Sequence, residues 1–166
     1  MDNEAFKCYM QWAYTNEVVV KEDDDPRKDD DPRKDPRVEA SWLSLIRLYG
    51  AAHVLLDIAL SNAIVDRLIR EHDRSQSIPS VSMINAAYRV TAAKSRLRLL
   101  MMAYWVRAGI VKWMKGEVKN FESLNHEFLA DFTRAKMTGE QWSFREPKWK
   151  TRCYWHEHNT EVPVCE

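Results

Sequence analysis

The scarcity of turn residues is what most limits the folds open to this chain. Its 166 residues include four glycines and six prolines, and three of the prolines, Pro26, Pro32 and Pro36, fall in one short stretch. A sandwich or barrel needs a turn about every 8–12 residues, so helices are favoured before any pattern is read. Apolar residues make up 45% of the chain, enough for a core. The length suits one domain, or a small domain with a tail.

Helical periodicity recurs along most of the sequence. Phe6, Tyr9, Met10 and Ala13 repeat at i, i+3, i+4 and i+7 with Trp12 beside them, which predicts a short amphipathic helix from near Asn3. From Glu39, Trp42, Leu45, Ile46, Tyr49 and Ala52 form one stripe. Leu60, Ile64 and Leu68, flanked by Val65 and Ile69, form a second, in a helix that runs out at Glu71–Asp73. Gly50 inside its stripe costs about 1 kcal/mol against alanine, so it marks a close approach of two helices. Ser80 is a plausible N-cap for a helix holding Val81, Ile84 and Tyr88. A helix from about Lys94 carries Leu97, Leu100, Met101, Tyr104 and Ala108, and Gly109 and Gly116 bracket a weaker segment. Phe121, Leu124, Phe128 and Phe132 define a last helix that stops before Gly139. The expected fold class is all-α: an antiparallel helical bundle with an irregular C-terminal tail.

Two segments break the pattern. Residues 21–37 read KEDDDPRKDDDPRKDPR, with eight acidic and six basic side chains, three prolines and no aromatic or aliphatic residue. Such a run cannot bury anything, and its prolines block helix continuation, so a charged disordered loop is expected, with a charged docking tract as the alternative. After Thr138 the period is lost again. The division is then a helix over 1–20, the loop over 21–37, a bundle over 38–138, and an irregular Cys/His/Trp-rich tail over 139–166.

The tail holds the one constellation with a chemical reading. Cys153, His156, His158 and Cys165 are spaced C-x2-H-x-H-x6-C. Thiolates and imidazoles are donors that zinc prefers, and four of them close a tetrahedral structural site. His156 and His158 can meet one ion in an extended or turn conformation but diverge on a helix. The alternatives are a packed Cys153 with solvated histidines and a free Cys165, or Cys153 and His156 holding the tail by packing alone. There is no signal peptide in the opening residues, so a reducing nuclear or cytoplasmic setting is expected, with thiols or metal ligands and no disulfides.

Nothing else resembles an active site. The HEH at 156–158 is not the HExxH of a zinc protease. Ser44, Ser82 and Ser95 lack a histidine at any recognisable spacing, and Asp57 and Asp66 read as a helix cap and a surface charge. No catalytic residue and no organic cofactor is expected. Charge is balanced, with 25 basic and 25 acidic residues, so no overall field draws the chain to nucleic acid or membrane. One basic stretch runs from Arg89 to Lys119, with Tyr104, Trp105 and Trp113 interleaved. A solvated face, or pairing with the acidic loop at Asp23–Asp31, is the reading preferred over nucleic-acid binding.

The order of the helices resembles a known family. FKCYMQWAYT, Phe6 to Thr15, resembles the helix and "QW-hydrophobic-YT" signature late in the BTB/POZ domains of filamentous fungi. LIRLYGAAHVLLDIALSNAIVDRLI, Leu45 to Ile69, is similar to a block of the form LxRLYxLADKxxIxxLxNAVVDxL, with Ala51-Ala52-His53 in place of its "LAD" triplet. SIPSVSMINAAYRVTAAKSRLRLLM, Ser77 to Met101, resembles the "LPS…IxxxYxxT…SxLRxLL" block. Phe121 to Phe132 is similar to a "P-x-E-F-L-x-D" helix, and CYWHEH to a "CxYHxH" tail.

The resemblance implies a non-catalytic protein–protein interaction module: the helical part of such a domain, truncated of its strand-rich N-terminal half. Its implied partners are other proteins, through self-association or a cullin-type ligase scaffold, though those surfaces depend partly on the absent half. The competing expectations are a small zinc-stapled nucleic-acid-associated protein and a decayed gene fragment. The loop gives a direct test. Deleting Asp23 to Lys34 is expected to change stability by under ~1 kcal/mol in a thermal melt, because loop-closure entropy grows slowly with length.

Overall fold

The computed structural model describes residues 3–19, 36–107, 121–138 and 152–160, with positions 162 and 165. Among these residues every regular element is helical, as composition and periodicity predict. The α-helices are α1 (Asn3–Thr15), α2 (Pro36–Leu55), α3 (Ile58–Ser75), α4 (Val81–Val90), α5 (Arg96–Arg107), α6 (His126–Met137) and the single turn α7 (Arg152–Trp155). A 3-10 turn at Phe121–Ser123 precedes α6. No described helix is long and apolar enough to cross a membrane. The expected loop lies outside the described residues except at its end, where Pro36 and Arg37 form the first turn of α2. Proline is tolerated there because the first N–H groups of a helix have no partner within it. Trp113, Trp142 and Trp149 also lie outside the described residues.

Helix α2 is the axis of the fold. It packs on α1, α3 and α4, and Trp42, Leu45, Ile46, Leu48, Tyr49 and Ala52 are all at most 1% exposed. The predicted stripe of α3, Leu60, Ile64 and Leu68, is wholly buried against it, as are Ile84 and Ala87 of α4. Leu97, Leu100, Met101 and Tyr104 of α5 and Phe128 of α6 complete one continuous core. Each large side chain buried in this way contributes roughly 1.5–3 kcal/mol. Gly50 marks a close approach, as expected: a Cβ there would lie 2.8 Å from Cβ of Val90, at the end of α4.

Caps fix the register of these helices. Asp57 accepts from the backbone N–H of Leu60 at 2.8 Å and so caps α3, as its position suggested. Ser80 accepts from Met83 N–H and caps α4. Helices α5 and α6 start later than periodicity predicts. Lys94 takes a left-handed φ of 68°, and Ser95 accepts from Arg98 N–H at 3.3 Å, so α5 begins at Arg96. Asn125 accepts from the N–H groups of Glu127 and Phe128, so α6 begins at His126 and Phe121 stays outside it. At the other extreme α3 runs on to Ser75, and Gln76 ends it at φ 52°.

Two sequence expectations are corrected by tertiary packing. On α1 the inward face is Ala5, Cys8, Tyr9 and Trp12, while Phe6, Met10 and Ala13 of the predicted stripe point outward. The helix carries apolar residues almost all round. Its rotation is set by Trp12, whose indole N–H donates to Oδ2 of Asp57 at 3.3 Å. In the basic stretch, Arg98 is buried instead of solvated. Its guanidinium donates to Oγ1 of Thr91 at 3.1 Å and to the carbonyls of Tyr88 and Thr91. It also pairs with Glu127 of α6, so it closes the C-terminal end of α4, where carbonyls lack helical partners.

Packing and electrostatics each give a test. Gly50→Ala should lose stability in denaturant unfolding, because overpacking against Val90 costs about 1–3 kcal/mol and outweighs the ~1 kcal/mol of helix propensity gained. The alkaline limb rests on Tyr49 and Tyr88, whose hydroxyls donate to Glu157 and Asp131. Burial first, and the adjacent carboxylate second, hold both phenols well above their ordinary value. The unfolded chain ionises near pH 10 while the folded one keeps its protons. Stability should therefore be intact below about pH 10 and fall above it, by up to ~1.4 kcal/mol per pH unit per tyrosine. Tyr49→Phe or Tyr88→Phe should flatten that slope in alkaline melts.

Candidate metal centre

The C-terminal residues are tied to the bundle by polar contacts around Glu157. Trp155 is 2% exposed, and α7 packs on α3 and α5. Asn62 of α3 grips the backbone of Glu157 from both sides. Its Oδ1 accepts from Glu157 N–H at 2.8 Å, and its Nδ2 donates to Glu157 O at 2.9 Å. Oε1 of Glu157 accepts from the Tyr49 hydroxyl at 3.2 Å. Arg96 lies 6.0 Å from the Tyr154 ring centre, within cation–π reach. The two chain neighbours of Glu157, His156 and His158, are thereby held beside α3.

The helix ends at Trp155, and residues 156–159 are non-helical. That is the condition under which two histidines two positions apart can approach one point. A turn then brings the chain back: Asn159 N–H donates to Val162 O, and Asn159 Oδ1 accepts from Val162 N–H at 2.7 Å. Cys165 arrives next to the residues that precede the turn.

The structure gathers three of the four predicted donors, Cys153, His158 and Cys165, and sets the fourth, His156, against Cys165. Sγ of Cys153 lies 3.3 Å from Nε2 of His158. Sγ of Cys165 lies 3.1 Å from Nδ1 of His156. The donor atoms of Cys153, His158 and Cys165 all lie within 4.8 Å of one another, and this group could hold a metal ion. His156 stands at its edge, meeting Cys165. For Zn–S near 2.3 Å and Zn–N near 2.0–2.1 Å, the sulfur–nitrogen edge of a tetrahedron is about 3.5 Å. The two observed contacts fall a few tenths of an ångström inside that edge, where thiol–imidazole hydrogen bonds also lie. His156 is buried, Cys153 and His158 are half-buried, and Cys165 is exposed.

One participant escapes the sequence reading. Asp66, expected as a surface charge, has an 18% exposed side chain, and its Oδ1 lies 3.1 Å from Nε2 of His156. No local pattern signals this, because 90 residues separate the pair. The one usable cue is its spacing of four from Asn62, which puts both on one helical face. Asp57, read from the sequence as a helix cap, fills that role and also accepts from the Trp12 indole.

In the basic stretch, Arg89 and Lys94 are exposed, Arg96 is half-buried and Arg98 is turned into the core. Lys112, Lys115 and Lys119 lie outside the described residues.

No protein-family model matches the chain, and no curated protein or solved structure matches it.

Proposed function

We propose that the chain is a non-catalytic protein–protein interaction module, the helical part of a fungal BTB/POZ-like domain, with a tail stapled by structural zinc. The observation that carries the interaction reading is the outward face of α1. Phe6, Met10 and Tyr14 follow one another at four-residue spacing and are 45%, 36% and 84% exposed. An ordered helix that keeps an aromatic and thioether stripe in water loses the burial energy of that stripe unless a partner covers it. Tyrosine, phenylalanine and methionine are also residues enriched in interface cores. The partner class is another protein, either a second copy or a ligase scaffold of the cullin type, met in the nucleus or cytoplasm.

Zinc is the ion that suits the donor set. Two thiolates and two imidazoles favour zinc over magnesium or calcium, which take oxygen ligands. Cys153, His158 and Cys165, with His156 as the fourth ligand, would fill a tetrahedron and leave no position for a reactive water, so the role is structural.

Two measurements on the purified full chain test this. Elemental analysis is expected to find one zinc per chain, removed by chelator with a fall in melting temperature; a metal-free, equally stable protein removes the zinc part. In sedimentation velocity, the wild type is expected to associate as concentration rises, and Phe6→Glu with Tyr14→Glu to abolish it. A wild type that stays monomeric and also ignores a purified cullin scaffold removes the interaction part.

A further inference from the structure

Asp66 connects the candidate metal centre to the bundle. A carboxylate only accepts hydrogen bonds, so its 3.1 Å contact with His156 places a proton on Nε2. In a neutral imidazole the other nitrogen then keeps its lone pair. That nitrogen, Nδ1, is the one that faces Cys165 Sγ at 3.1 Å. His158 does the reverse and presents Nε2 to Cys153. The two rings thus present different nitrogens to the two cysteines, and His156 is oriented from outside the tail by Asp66.

The orientation comes from α3. Asn62 and Asp66 are one helical turn apart: the first fixes the backbone of Glu157, and the second the ring of the residue before it. A histidine ligand whose far nitrogen donates to a carboxylate gains basicity and a fixed ring plane, and removing such a partner typically weakens metal binding 10–100-fold. We propose that Asp66 is the positioning carboxylate of the metal centre, fixing His156 as a ligand through Nδ1 and coupling metal occupancy to docking of the tail on α3. This rests on the zinc reading above, which it deepens by adding a residue outside the donor set.

Cobalt(II) titration of the full-length chain, followed by visible d–d and near-ultraviolet thiolate absorption, separates the two. The wild type is expected to give tetrahedral cobalt bands with thiolate charge transfer. Asp66→Asn should weaken cobalt and zinc affinity by about 10–100-fold with thiolate ligation retained. In a His156→Ala background the same change should cost nothing further, since Asp66 acts through that ring. The rise in melting temperature on adding zinc, referenced to each variant's own metal-free chain, should shrink for Asp66→Asn, which sets general destabilisation aside. Thiolate–cobalt bands with unchanged affinity in Asp66→Asn, or losses that add in the double variant, overturn the role of Asp66 while leaving the zinc reading intact. Absence of those bands in the wild type overturns the zinc reading and this one with it.

Discussion

Burial of α2 on most of its circumference is the constraint from which the other helices take their places. A helix that is apolar on nearly every face cannot lie at a surface, so α1, α3 and α4 cover it from different sides. Gly50 lets α4 come closer than any side chain would permit. Helix α4, which covers α2, also packs on α5, and Tyr104 of α5 packs on Trp42 of α2 at 6.0 Å and on His72 of α3 at 4.0 Å. His72 is buried yet satisfied, donating from Nδ1 to the carbonyl of Ser77 at 2.7 Å. It acts as a core residue that pins the α3–α4 connection.

Where apolar packing ends, long-range polar contacts take over. Arg98 closes the end of α4 and reaches Glu127 on α6, and Tyr88 reaches Asp131 on the same helix. Asn62, Tyr49 and Asp66 perform the matching task for the C-terminal residues. Arg98, Tyr88, Tyr49 and Asn62 are buried, so stripping one of them of its partner costs about 1–3 kcal/mol, although Glu127 itself is largely exposed. Placing two tail histidines and two cysteines beside that anchored backbone is what turns a sequence spacing into a donor cluster. A metal there would link the tail to the axis of the fold through residues that are not ligands.

The first helix shows a different balance. An indole–carboxylate bond and a narrow inner face hold it to the rest of the fold. Its outer face, with Val54, Leu55 and Leu56 at the α2–α3 corner, accounts for most of the large exposed apolar side chains among the described residues. The core sits around α2, and the apolar surface left in water sits mostly on α1 and that corner.

By itself the sequence determined the helical class, the positions of most helices, the Asp57 and Ser80 caps, the close approach at Gly50, and which thiols and imidazoles are present to gather in the tail. All of these follow from short-range rules: a 3.6-residue period, side-chain-to-backbone bonds within a turn, and the affinity of thiol and imidazole for soft cations. The outward rotation of Phe6 and Met10, the burial of Arg98 and the recruitment of Asp66 were decided only by the tertiary structure. In each case the deciding partner is distant along the chain, and it sets the energy of a side chain whose local surroundings allow either choice. Apolar residues surround α1, so periodicity gives it no unique inner face; Trp12 finds one on Asp57. A lone arginine or aspartate on a helix reads as solvated until the fold brings a carboxylate or an imidazole to meet it.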